Sequence, residues 1–196
     1  MRIIRMALLI LVASAGAHGS EAERRLSAHL RLGVSDQLML APRAKHMAAA
    51  MFASIGIFLD WKDCAHGSEP SPPIVIDLVA DTPLDFMPGV LAYSVLDGSG
   101  HIIVFLDRIE KVAYPAIVLA HVIVHEITHV VQAVNRHSST GIMQANWRGH
   151  DLCDMRLKAL KFAPEDVDLI YQGLSRRRRF AKPSESVAMK TCETCS

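Results

Sequence analysis

The residues most able to do chemistry are His125-Glu126-Ile127-Thr128-His129, followed by His137 and by Gly141-Ile142-Met143. On a helix, histidines four apart lie one turn apart on one face. Both imidazoles can then reach one metal ion at the ~2.0–2.1 Å of a zinc–nitrogen bond. Glu126, beside the first, can take a proton from water activated at that metal. The flanks Val122-Ile123-Val124 and Val130-Val131 are apolar, which predicts a buried helix. Polar groups buried there need partners, since unpaired burial costs several kcal/mol. A shared metal would satisfy both rings.

A catalytic zinc site takes three protein ligands and keeps one position open. His137 is the candidate for the third. On an unbroken helix it would stand about 12 Å beyond His129 along the axis, from a rise of 1.5 Å per residue. The helix must therefore stop between them and the chain must fold back. Asn135 is the predicted stop, because Asn tolerates the left-handed conformation that ends helices. Alternative ligands are His150, Asp151 and Asp154, and a downstream acid such as Glu165. His121, one turn before His125, reads as a packed or supporting histidine.

With that run, a third His after a turn and then Gly-Ile-Met, the sequence resembles the metzincin clan of zinc metalloproteases. The clan motif is H-E-x-x-H-x-x-G-x-x-H with a later turn carrying Met. The resemblance implies zinc held by His125, His129 and His137, Glu126 as general base and Met143 as the turn methionine. His137-Ser138 is similar to the His-Ser closing the motif in matrixin-type members. Two departures stand out: Gln132 replaces the clan's Gly, and Asn135 stands where its third His would be, so His137 arrives two residues late. The implied activity is peptide-bond hydrolysis by a zinc metallopeptidase on a peptide or protein substrate. A zinc-holding non-catalytic binding module and a metal-free interaction domain are the rival readings.

The elements that must position this site are legible in outline. The chain has 196 residues, half of them hydrophobic, which predicts one domain with a substantial core. Its net charge of +1 gives no electrostatic case for nucleic acid. Period-two alternation of Ala28, Leu30, Leu32 and Val34 predicts a strand. An Ala- and Met-rich helix is expected from Ser35-Asp36 to Ile55, disturbed at Pro42 and stopped by Gly56. Strands follow at Ile57 to Cys64, Ile74 to Val79, and Val90 to Val95 with His101 to Leu106. The last two flank Asp97-Gly98-Ser99-Gly100, a hairpin signal. Pro115 opens the motif helix, and Pro164-Glu165-Asp166 opens a last helix expected to end near Gly173. The resemblance adds a fold: α+β, a small metzincin-like domain with a twisted mixed sheet of about five strands on two long helices, the motif on the second, and a C-terminal helix. The edge strand near Leu91 to Val95 is where an extended substrate would pair.

Residues 1–17 read as a secretory signal peptide: Arg2 and Arg5, an apolar run from Met6 to Val12, then Ala15-Gly16-Ala17. The apolar run is too short to span a bilayer, and no later segment is expected to. Export predicts a secreted or periplasmic protein, with 18–174 as the metallopeptidase domain and 175–196 as a basic, Cys-containing tail. In an oxidising compartment Cys64, Cys153, Cys192 and Cys195 allow three pairings; Cys64 with Cys153 and Cys192 with Cys195 is the expected set. The run Arg176-Arg177-Arg178-Arg179 is expected in solvent beyond the last helix.

Overall fold

A computed structural model describes residues 24–32, 40–63 and 73–180. The signal-peptide segment, Cys64, Cys192 and Cys195 lie outside the described residues. The elements are β1 (Arg25–Leu32), α1 (Leu40–Ala53), β2 (Phe58–Lys62), β3 (Ile74–Val79), β4 (Ala92–Ser94), β5 (His101–Phe105), the single turn α2 (Leu106–Ile109), α3 (Pro115–Gln132), α4 (Gly149–Leu157) and α5 (Pro164–Phe180). The class is α+β, as expected. The sheet has five strands in the order β2-β1-β3-β5-β4. The first three pairings are parallel and β4 runs antiparallel to β5, paired as Ala92 with Val104 and Ser94 with Ile102. The Asp97–Gly100 turn makes this a hairpin, and β4 is a sheet edge.

Alternation explains the layers. Ile74, Ile76 and Leu78 of β3 and Ile102 and Val104 of β5 are buried on the helical side. Asp77 and His101 lie on the opposite face, where Asp77 pairs with both Arg31 and His101. Helix α1 starts at Leu40, so Pro42 falls in its first turn, where no intrahelical N–H is needed. Its Ala44, Ala48, Met51 and Phe52 belong to the core, and Gly56, at φ 74°, ends the segment.

Every residue of α3 from Ala116 to Gln132 is buried. Contrary to expectation, this helix is long and apolar enough to cross a membrane by length and composition, but it is covered inside the fold by α1, the sheet and α5. Helix α5 also departs from expectation. It does not end at Gly173 but runs to Phe180. Gly173 is instead the crossing point with α3: a Cβ there would stand 2.0 Å from Val131 O. The continuation carries the arginine run inside α5 rather than beyond it, and Arg176, though exposed, donates from Nη2 to Gln132 O at 2.8 Å and caps the end of α3.

Candidate metal centre

Helix α3 places His125 and His129 one turn apart, 8% and 4% exposed. Each ring is held by a backbone carbonyl. His125 Nδ1 donates to Ile142 O at 2.9 Å and His129 Nδ1 donates to Val134 O at 3.0 Å. A carbonyl only accepts, so both protons sit on Nδ1 and both Nε2 atoms are bare. Those two Nε2 atoms lie 3.0 Å apart. Burial is the largest influence lowering both histidines, and His125 falls to about 4, so the rings stay neutral near pH 7. Two lone pairs facing each other at this distance repel unless a cation lies between them.

The third ring completes the set. His137 is exposed on the loop after α3, with its ring centroid 5.2 Å from that of His125 and 5.0 Å from that of His129. One ligand atom from each of the three residues lies within 4.8 Å of the others. Two imidazoles bound to one tetrahedral ion place their nitrogens roughly 3.3 Å apart, from the zinc–nitrogen bond length. The donor set therefore fits an ion such as zinc, held by neutral imidazoles with their far nitrogens fixed by carbonyls.

The chain turns earlier than Asn135. Helix α3 ends at Gln132, and Ala133 adopts the left-handed conformation at φ 55°, donating its N–H to His129 O at 2.8 Å. The early stop frees Val134 O for the His129 ring. Ser138 N–H then donates to Met143 O at 2.8 Å, closing the turn, and Met143 is fully buried. Ile142 N–H donates to Lys161 O at 3.0 Å, anchoring the carbonyl-bearing turn that orients His125.

Among the described residues, no other His, Cys, Asp or Glu joins a group of this kind. His150 is exposed and faces Asp151, which accepts the Arg148 N–H at 2.7 Å and so caps α4. Glu165 faces Arg136 at 3.8 Å. His121 is packed: Nδ1 donates to Ile117 O at 2.8 Å and Nε2 accepts the Leu160 N–H at 3.2 Å. Cys153 is an exposed free cysteine, so the expected bond to it is not formed; it lies on α4, whose buried residues are Asp151 and Met155.

Glu126 is 8% exposed beside the histidines. Burial pushes its carboxyl up to about 7, opposed by a hydrogen bond with Ser94 at the end of β4. Sequence reasoning missed Ser94, and it missed Trp147, whose ring meets His125 edge-on at 5.7 Å between centroids. Both depend on contacts distant along the chain. The orienting carbonyls of Val134 and Ile142 carry no residue-type signal at all.

The site is metzincin-like in its residues and in its order along the chain: the motif on a core helix, a third His after a reversal, then a buried Met. No family model and no curated protein matches the chain. Among solved structures, the crystal structure of archaemetzincin from Methanopyrus kandleri matches with a TM-score of 0.49 and 11% identity, over 78% of this chain and 97% of that one.

Proposed function

We propose that this chain is an exported zinc metallopeptidase that hydrolyses peptide bonds. The observation that carries the reading is the pair of bare Nε2 atoms at 3.0 Å, joined by His137 and flanked by buried Glu126. His125, His129 and His137 would hold the ion. Bound zinc supplies Lewis acidity to the scissile carbonyl and to the attacking water. Glu126 takes the proton of that water and returns it to the leaving amine. Ser94 ties this carboxylate to the sheet edge.

The substrate is a peptide in extended form. Among the described residues β4 pairs with β5 on one side only, which leaves its other edge to a backbone partner. Such a partner would run past Ser94 toward Glu126. The composition of residues 1–17, with Arg2 and Arg5 before an apolar run and small residues after it, supports export.

The test is peptide hydrolysis by the purified protein after chelation and after zinc is restored. Activity is expected to vanish and return. Glu126→Gln is expected to keep one zinc per chain and lose turnover. Hydrolysis indifferent to chelation would reject the reading. Stoichiometric zinc without hydrolysis across a broad peptide library would leave a binding module instead.

A further inference from the structure

The third imidazole is delivered by a loop whose own residues give it little support. Ala133, Val134, Asn135, His137 and Ser139 are all exposed, and His137 lies eight positions after His129. Exposed loops lose conformational entropy when ordered. A ligand on such a loop binds weakly unless something else has already fixed it. The fixing group is Asp166, from the first turn of α5.

Asp166 is completely buried. Its carboxylate reaches both chain neighbours of His137. Arg136 Nη1 donates to Oδ1 at 2.5 Å, and the Ser138 hydroxyl donates to the same carboxylate at 2.8 Å. Arg136 also donates to the Ser138 hydroxyl oxygen at 3.2 Å, closing a three-membered network. The backbone carbonyl of Asp166 accepts Gln132 Nε2 at 3.2 Å. One residue therefore holds the loop where it leaves α3 and on either side of the ring it carries. The negative charge is favourably placed at the N-terminal turn of α5 and is paired by the guanidinium.

We infer that Asp166, acting through Arg136 and Ser138, is the positioning residue that makes His137 a metal ligand, so that α5 is a working part of the metal centre. This rests on the three-histidine reading above. The late third histidine requires a longer turn, and the buried carboxylate compensates for its length. Gln132 enters the same network.

The test is zinc affinity of the full chain, measured by competition with a chromophoric chelator, alongside the thermal midpoint of the zinc-free protein. Asp166→Asn and Ser138→Ala are compared with His137→Ala and with each double variant. Asp166→Asn is expected to weaken zinc binding by about 10–100-fold, as loss of a ligand-supporting group does. In the His137→Ala background the same change should weaken binding no further, because its effect passes through that ring. A purely structural role would lower the thermal midpoint and leave the affinity of the folded protein unchanged, or would weaken both backgrounds equally; either overturns the inference. If Asp166→Asn does not fold, Ser138→Ala, which removes only one hydroxyl, decides by the same comparison. Zinc affinity in the parent chain that does not depend on His137 would instead sink the three-histidine reading itself.

Discussion

Gly141 and Lys161 approach so closely that a Cβ on the glycine would stand 2.2 Å from the lysine's carbonyl oxygen. Gly141 also sits at φ 79°, a conformation costly for other residues. The turn it begins carries Ile142, whose carbonyl holds His125. Gly141→Ala is therefore expected to destabilise the fold by about 2 kcal/mol or more, through backbone strain and overpacking. It should also weaken zinc binding, because the displaced carbonyl no longer fixes the His125 ring. Denaturant titration and chelator competition on the same sample measure both effects.

The carboxyl of Glu126 has a pH signature in the zinc-free protein. Its folded value near 7 lies above its ordinary 4.5. A raised carboxyl stabilises the fold at low pH, and that stabilisation is lost as pH rises through about 7. Glu126→Gln lacks this loss. Between pH 4 and pH 8 the stability difference should therefore move in the variant's favour by up to about 3 kcal/mol. His125 acts with the opposite sign: its value is depressed to about 4, so both proteins lose stability as pH falls from 6.5 toward 4. That contribution cancels in the difference. Urea unfolding in the presence of chelator, at matched pH values, checks the sign; a difference flat in pH would contradict the burial of this group.

Ala133 occupies a left-handed position at the end of α3, at φ 55°, and is exposed. Glycine takes this conformation without a Cβ penalty. Ala133→Gly is expected to raise stability by roughly 1 kcal/mol, the cost of a left-handed residue bearing a side chain. Thermal unfolding of the two zinc-free proteins compares them directly.

The ligand assignment makes a plain contrast. His137→Ala should lower zinc affinity by orders of magnitude, while His150→Ala should leave it unchanged, because the His150 ring faces Asp151. Zinc in large excess should stabilise the parent chain by about 4 kcal/mol at a thousand times its dissociation constant. Isothermal titration of both variants separates the two histidines.

The motif helix was legible because its signal is dense: apolar residues on every side of His125 and His129, with Pro115 at its start. Strand β3 and the Asp97–Gly100 turn were read correctly for the same reason, since alternation and turn residues act locally. The misreadings came from distant partners. Asn135 is a better helix terminator than Ala133 by propensity, yet the chain turns at Ala133, because Val134 O is taken by the His129 ring and Gln132 is held by Asp166 and Arg176. Gly173 looks like a stop, but its missing side chain serves an interhelical contact with Val131. Asp166 reads as an ordinary first-turn acid; only folding shows which loop it grips.

Helix α3 supplies two of the three histidines, the carboxylate of Glu126 and the middle of the hydrophobic core. Its backbone amides have no route to solvent short of opening the whole domain, so deuterium should enter residues 121–131 at the rate of global unfolding. The arrangement of His125, His129 and Glu126 is then as long-lived as the native state, while the exposed loop bearing His137 exchanges as fast as its ties to Asp166 open.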